Sequence, residues 1–270
     1  MSANHERNDR KGGWDPSRGK AGKPFRRGPG RASEADAKDW VWGVHAVDAA
    51  LANPARGEAK RLLATPDRAK KYEGRKPEIF DAADIARQLP AGAVHQGVAL
   101  KIDPPEPLSI DEIGEEASGV LLLLDQITDP QNVGAIFRSA AAFGAKGVIL
   151  QDRHAPSLSG SLAKASAGAI DKVPHAVAVN LSRALERLAD LGWRAVGLDG
   201  AAEATLEEAL DGRPTVLVLG SEGEGIRRLV AEHCDTLAKI PMPGGFESLN
   251  VSNAAAIALY EAARLNVRAR

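Results

Sequence analysis

Three short segments, each placed directly after a run of apolar β-type residues, hold side chains able to do chemistry. After Val120–Leu124 comes Asp125-Gln-Ile-Thr-Asp-Pro-Gln-Asn-Val-Gly-Ala-Ile-Phe-Arg-Ser139, which offers the amide of Asn132 and the guanidinium of Arg138. After Thr215–Leu219 comes Gly220-Ser-Glu-Gly-Glu-Gly225, a glycine-rich turn carrying the carboxylates of Glu222 and Glu224. After Ala238–Ile240 comes Pro241-Met-Pro-Gly-Gly-Phe-Glu-Ser-Leu-Asn-Val-Ser252, which brings Ser248, Asn250 and Ser252 to the start of an alanine-rich helix. Free N–H groups at such a helix start favour electron-rich ligands.

The glycine turn is the most informative of the three. It has neither G-x-G-x-x-G spacing nor the Gly-Lys-Ser/Thr of a phosphate loop. Two carboxylates a few ångströms from a pyrophosphate would repel it, whereas they suit a ligand with a cation and a ribose diol, such as S-adenosylmethionine. Each feature also has a plain structural reading. Asn132 is placed to cap a helix beginning at Val133. At about 100° per residue, Arg138 lies about 140° round from Val133, away from the apolar stripe, as an ordinary solvated charge would. The glutamates could be solvated, and one of Ser248, Asn250 and Ser252 must cap the last helix.

The elements that position these segments are legible in the hydropathy pattern. Val120–Leu124, Gly147–Leu150, Arg194–Leu198 and Thr215–Leu219 are continuous apolar runs, as expected of parallel strands covered on both faces. Between them lie helical stripes such as Val133, Ile136, Phe137, Ala140 and Leu181, Leu185, Leu188. Ligands of such sheets sit beyond the carboxyl ends of the strands, where the three segments are. In the last helix, Ala254–Ala256, Ala258 and Ala262 permit close packing against another helix, which could belong to a second subunit.

Upstream, Trp40, Val41, Trp42 and Val44 begin an apolar pattern running into a helix over His45–Leu51, stopped at Asn53-Pro54. Leu62–Ala64, Val98–Leu100 and a helix-compatible stretch Pro77–Leu89 suggest a small α/β unit, and Asp103-Pro-Pro-Glu-Pro107 reads as a stiff linker. The organisation expected is a tail over 1–38, a small α/β domain over 39–103, a linker over 104–116 and a parallel α/β domain over 117–270.

Charge is uneven. The 270 residues carry a net −1, but residues 1–38 hold ten Lys/Arg against five Asp/Glu, leaving −6 for the rest. The glycine- and proline-punctuated tail cannot bury enough apolar surface to fold alone. It reads as a disordered extension or as an arm adding phosphate contacts. A single cysteine, Cys234, excludes an internal disulfide framework and a cysteine metal cluster, and His154, His175 and His233 lack metal-ligand spacing, so no metal is expected. With no signal peptide and no long apolar run, no membrane span is expected and the cytoplasm is the expected location.

Taken together and in order, the three segments resemble the three motifs of the SpoU (TrmH) branch of the SPOUT methyltransferases. Asn132-Val-Gly-Ala-Ile-Phe-Arg-Ser-Ala140 is similar to motif 1, Leu217-Val-Leu-Gly-Ser-Glu-Gly-Glu-Gly225 to motif 2 and Ile240-Pro-Met-Pro-Gly-Gly-Phe-Glu-Ser-Leu-Asn-Val-Ser252 to motif 3. Trp42-Gly-Val-His-Ala-Val47 and His95-Gln-Gly-Val98 resemble the substrate-binding domain of the 23S ribosomal RNA guanosine 2′-O-methyltransferase subgroup. The resemblance implies a trefoil-knotted α/β domain, a topology otherwise nearly absent from proteins, and a homodimer sharing its active sites. It implies S-adenosyl-L-methionine as cofactor and RNA, ribosomal RNA above all, as partner. The implied catalytic residues are Asn132, Arg138, Glu222, Ser248 and Asn250. The implied cofactor contacts are Gly220, Glu222, Gly223, Ile240, Met242, Ser248 and Leu249.

Because a guanidinium stays protonated, the expected role of Arg138 is to orient the attacking hydroxyl or its phosphate and to stabilise charge rather than to act as base. Three alternatives are a transfer RNA methyltransferase of the same family, a non-catalytic RNA-binding assembly factor and a nicotinamide-dependent dehydrogenase. Complete motifs disfavour the second, and the acidic glycine turn the third.

Overall fold

A strand sends successive side chains to opposite faces, so the unbroken run Val120–Leu124 needs apolar cover on both sides. The computed structural model, which describes residues 39–153, 155–245 and 248–268, supplies it. Leu122 and Leu124 join one buried cluster with Val133, Ile136 and Phe137, while Leu121 and Leu123 join another with Leu181, Leu185 and Leu188. The basic tail, His154, Phe246 and Glu247 lie outside the described residues, and the expectations for them rest on sequence alone.

Two sheets are present. The smaller is built from β1 (Trp40–Trp42), β2 (Arg61–Ala64), β3 (Glu78–Ile79) and β4 (Val98–Lys101) in the order β1-β4-β2-β3. The larger contains β5 (Val120–Leu124), β6 (Gly147–Gln151), β7 (His175–Ala178), β8 (Arg194–Leu198), β9 (Thr215–Leu219) and β10 (Thr236–Ala238) in the order β10-β8-β9-β5-β6-β7. Every pairing in the larger sheet is parallel. The chain builds outward from β5 to β7, crosses back, and inserts β9 between β5 and β8. Such a reversal leaves room for a ligand at the carboxyl edge.

The helices, in chain order, are α1 (Val44–Ala52), α2 (Pro66–Ala69), α3 (Ala82–Arg87), α4 (Ile110–Gly114), α5 (Pro130–Phe143), α6 (Gly160–Ala165), α7 (Leu181–Asp190), α8 (Leu206–Ala209), α9 (Arg228–Ala231) and α10 (Val251–Arg268). On one face of the large sheet α5 buries Val133, Ile136, Phe137 and Ala140 beside Val251, Ala255, Ala258 and Ala262 of α10. The buried Ala255, Ala258 and Ala262 of α10 therefore accommodate α5 of the same chain.

Several boundaries differ from the sequence expectation for local reasons. Helix α5 begins before Asn132: Asp129 Oδ1 accepts the Gln131 N–H at 3.0 Å and Pro130 occupies the first turn. A capping carboxylate followed by proline outranks an asparagine two residues on, so Asn132 is not the cap. The stretch Pro77–Leu89 splits into β3 and α3, whose start is capped by Asp81 accepting the Asp84 N–H. Trp40–Trp42 is a strand, paired antiparallel with β4. The last strand ends two residues earlier than Ile240, at Ala238.

The small sheet does not stand apart from the large one. One of its faces packs Trp40, Trp42, Leu63, Ile85 and Leu89 together, but Val41, Leu62, Val98 and Leu100 on the other belong to the same buried cluster as α5 and β5. Arg56, 4% exposed, ties the two parts further: its Nε donates to Asp171 Oδ1 at 2.5 Å and its Nη1 to the Asp103 carbonyl at 2.9 Å. The proline-rich stretch is fastened too. Leu108 N donates to the His175 carbonyl at 2.8 Å, and α4 follows with a Ser109–Glu112 capping box, burying Ile113.

Candidate functional site

Beyond the carboxyl ends of β8, β9 and β10 lies a cavity of about 550 Å³. The turn after β9 forms one wall and owes its shape to Gly220. Ser221 and Gly225 exchange two backbone hydrogen bonds, Ser221 N to Gly225 O at 3.1 Å and Gly225 N to Ser221 O at 3.0 Å. This closes the loop so tightly that a Cβ on Gly220 would stand 1.9 Å from the Gly225 carbonyl carbon. Only glycine fits.

An ion pair between a half-buried arginine and a buried carboxylate fixes the far end of that turn. Asp125, 0% exposed at the end of β5, accepts from Arg227 Nε at 2.8 Å and from the Arg227 backbone N at 2.9 Å. Two parallel bonds from one guanidinium and its own backbone hold the turn in a single orientation.

Glu222 lies on the cavity side of the turn and gathers the other two segments. Its Oε1 accepts from Asn250 Nδ2 at 2.7 Å, Asn132 Nδ2 at 3.2 Å and the Val251 backbone N at 3.3 Å. Asn250 Nδ2 also donates to Asn132 Oδ1 at 2.9 Å. Among the described residues nothing donates to Glu222 Oε2, which leaves that oxygen for a ligand. Asn250 does double duty, because its Oδ1 accepts the Ser252 N–H at 3.0 Å and the Ser252 hydroxyl at 2.5 Å, capping α10.

The structure thus brings Asn132, Glu222 and Asn250 into one hydrogen-bonded cluster. Gly220, Glu222, Gly223, Ile240, Met242, Ser248 and Leu249, which the motifs had singled out, all line the cavity. Arg138 stands apart. It is exposed on α5, bonds to no other described residue and does not line the cavity. Sequence reasoning missed the fourth wall, Leu198–Ala201 after β8. The strand-end rule that found the other three segments points there as well, but Leu-Asp-Gly-Ala looks like a plain turn.

The cavity has an acidic and apolar lining. Asp199, Glu222 and Glu224 supply carboxylates, Leu219, Ile226, Ile240, Leu249 and Val251 supply apolar surface, and among the described residues no Lys, Arg or His lines it. Such a lining rejects phosphates and accepts a cation joined to a flat apolar group. The adenosyl sulfonium of S-adenosylmethionine fits this donor set. No group of His, Cys, Asp and Glu able to hold a metal is present among the described residues. No described helix is long and apolar enough to cross a membrane.

Comparison with known proteins agrees with the motifs. The family model for the SpoU rRNA Methylase family matches residues 119–260, and that for RNA 2′-O ribose methyltransferase substrate binding matches residues 40–108. The 23S rRNA (guanosine-2′-O-)-methyltransferase RlmB of Pseudomonas aeruginosa is 37% identical over 244 residues, which cover 83% of this chain and 95% of that one. A protein of Mycolicibacterium gilvum described as an uncharacterized tRNA/rRNA methyltransferase is 45% identical over 183 residues, 66% of this chain. The chain spans 58% of the length of that relative. Among solved structures, the SpoU methyltransferase AviRb from Streptomyces viridochromogenes, in complex with AdoMet, superposes with a TM-score of 0.73 at 27% identity, covering 86% of this chain and 91% of that one.

Proposed function

The chain belongs to the SpoU rRNA methylase family, and we propose that it transfers a methyl group from S-adenosylmethionine to a ribose 2′-hydroxyl of RNA, that of a guanosine in 23S ribosomal RNA. The observation that carries this reading is the acidic, glycine-walled cavity whose Glu222 gathers Asn132 and Asn250. When bound, the sulfonium would supply a methyl group to the ribose oxygen, whose lone pair forms the new C–O bond as the C–S electron pair returns to sulfur and the hydroxyl gives up its proton.

The residues of the chain then have definite work. Gly220 and Gly223 let the backbone approach the ligand closely, and Ile240, Met242 and Leu249 cover its apolar part. Glu222, held by three N–H donors on Oε1, directs Oε2 at the positive end or the ribose diol. Asn132 and Asn250 hold that carboxylate still, so little reorganisation accompanies transfer. Ser248 lines the same cavity and is assigned to ligand contact.

Arg138 is assigned to the RNA, orienting the hydroxyl or the neighbouring phosphate and stabilising charge, with the proton passing to a neighbour or to water. Its absence from the lining of its own chain's cavity supports a homodimer in which it serves the site of the second subunit. The exposed Ile257 and Tyr260 of α10, with Tyr260 edge-on to Phe143 of α5 at 6.0 Å between ring centroids, offer that subunit an apolar face.

Mapping 2′-O-methylation in ribosomal RNA from a deletion strain tests the reading, the expected result being loss of one methylated guanosine in 23S RNA. Transfer RNA is the second target to map, since the Mycolicibacterium gilvum relative is described as an uncharacterized tRNA/rRNA methyltransferase. Titration with S-adenosylmethionine against NAD separates this reading from a dehydrogenase, and retention of every methylated ribose in the deletion strain would overturn it.

A further inference from the structure

A second cavity, of about 440 Å³, opens where the small sheet meets the large one. Trp42 of β1 and the 90–94 turn line one side, and Gln131 at the start of α5, Ser157, Ser161 and Lys164 of α6 line the other. Its chemistry is the opposite of the first cavity. Among the described residues no carboxylate lines it, and it holds one ammonium, several hydroxyls and the flat edges of Trp42 and three prolines.

Building on the reading above, we propose that this second cavity receives one unstacked nucleotide of the substrate RNA, next to the nucleotide that is methylated. Three observations support it. The first is charge. Of the two cavities, the one to which the described residues bring three carboxylates and no cation disfavours phosphate, while the one to which they bring Lys164 and no carboxylate favours it.

The second is shape and lining. A cavity within the range of about 300–1,000 Å³ holds a small ligand, and looped RNA is read by splaying bases against flat apolar surfaces and hydrogen-bonding their edges. Trp42, Pro90, Pro130 and Pro156 supply such surfaces, and the side chains of Gln131, Ser157 and Ser161 supply donors and acceptors.

The third is position. Gln131 lines the second cavity, and its chain neighbour Asn132 bonds Glu222 of the first. The first turn of α5 therefore separates the two, so a strand seated in one has its adjoining residue at the mouth of the other. The ammonium of Lys164 is also prepared for this task. Gln96, at a left-handed φ of +56°, accepts from Lys164 Nζ at 2.9 Å and from the Val44 N–H at 3.1 Å, which fixes the lysine from the small sheet. An ammonium has three donors, and two remain for phosphate.

The test uses the full chain, S-adenosylmethionine and 23S ribosomal RNA from a deletion strain. Val94, 65% exposed, lines the cavity, so Val94→Asp adds a negative charge there without disturbing the core. It should raise KM for RNA about tenfold, with kcat and S-adenosylmethionine affinity within about twofold of wild type. Lys164→Gln should lower the slope of log affinity against log salt by about 0.7, the contribution of one phosphate contact to a single strand, and Lys164→Arg should restore it. Wild-type KM in Val94→Asp and an unchanged salt slope in Lys164→Gln, in a protein that methylates RNA, would overturn the second site and leave the methyltransferase reading standing. A wild-type chain that neither binds nor methylates RNA would overturn both.

Discussion

Asn250 Nδ2 lies 2.7 Å from Glu222 Oε1, joining the start of α10 to the glycine turn after β9. The same asparagine caps α10 through its other amide atom. One side chain therefore contributes to helix stability and to the geometry of the cavity, and the two contributions can be separated. Asn250→Ala removes both and should cost about 1 kcal/mol of stability. Asn250→Ser keeps a capping oxygen but loses the donor, so its stability should fall by only a few tenths of a kcal/mol, roughly, while methyl transfer drops about 100-fold in both variants. Urea unfolding and a tritium-transfer assay measure the two effects. Equal stability loss in the two variants would show that the cap is not what the serine preserves.

Arg138 is exposed and bonds to no other described residue, so removing it should leave the fold intact. Arg138→Ala is expected to keep the wild-type unfolding midpoint and to bind S-adenosylmethionine within several-fold, while most methyl transfer is lost because its contact is with RNA and the transition state. Mixing this variant with an inactive cavity variant adds a second readout. If Arg138 serves the neighbouring subunit, heterodimers recover one working site. Activity near wild type in Arg138→Ala alone would remove the residue from the mechanism.

Gly220→Ala tests how far the glycine turn depends on close approach. The added methyl would lie 1.9 Å from the Gly225 carbonyl carbon, and backbone cannot swing away as a long side chain can. Opening the Ser221–Gly225 pairing to relieve the clash should cost about 1–3 kcal/mol and abolish S-adenosylmethionine binding measured by calorimetry. Gly223→Ala is the control for the close-approach argument, since no atom lies within 4 Å of its Cβ position, although its φ of +96° adds strain of its own. It should retain the binding that Gly220→Ala loses, at lower affinity.

Much of this architecture was visible before the fold. The apolar runs ending at Leu124, Leu198 and Leu219 became strands with those bounds, because a strand buried on both faces needs an unbroken apolar run and runs of five residues are too short for a buried helix. The three strand-end segments converge because parallel strands bring their carboxyl ends to one edge. What remained hidden depended on partners far away in sequence. Asn132 looked like a cap because capping rules see four residues, whereas its bonds run to Glu222, 90 residues on, and to Asn250, 118 residues on. Arg56 sits just past the Asn53-Pro54 stop, and nothing local announces its partner Asp171, 115 residues later. The alanines of α10 showed that a helix must pack closely there, but not that α5 of the same chain is that helix.

The Arg56–Asp171 pair makes a prediction about how the two sheets cohere. The side chains are 0% and 1% exposed, and Asn53 Nδ2 adds a bond to Asp171 Oδ1 at 3.0 Å. Arg56→Ala leaves a carboxylate buried without its cation and should destabilise the chain by about 3–5 kcal/mol. The double change Arg56→Met with Asp171→Leu removes both charges and should recover most of that loss, since burying the pair carries a desolvation cost of its own. Denaturant unfolding of the wild type and these two variants decides it, and a double variant no better than Arg56→Ala would show that the hydrogen bonds, rather than the orphaned charge, carry the effect.

His175, on β7 beside that pair, gives the protein an acid sensitivity that can be assigned to one ring. Burial pushes its pKa from 6.5 down to about 4, and the Arg56 guanidinium adds to the shift while Asp171 opposes it. In the unfolded chain the imidazole takes up a proton near its ordinary value, so below pH 6.5 the unfolded state binds the proton that the folded state refuses. The stability due to keeping this ring neutral is therefore fully present above the ordinary pKa and is lost as pH falls from about 6.5 towards 4. Between roughly pH 7.5 and pH 5 the loss should be about 2 kcal/mol. His175→Gln replaces the ring with a side chain that does not titrate, so its stability should fall by about 2 kcal/mol less than wild type over the same interval, whatever the carboxylates common to both proteins contribute. Urea unfolding at the two pH values measures the difference directly, and parallel pH profiles for the two proteins would show that His175 can be protonated without leaving the folded state.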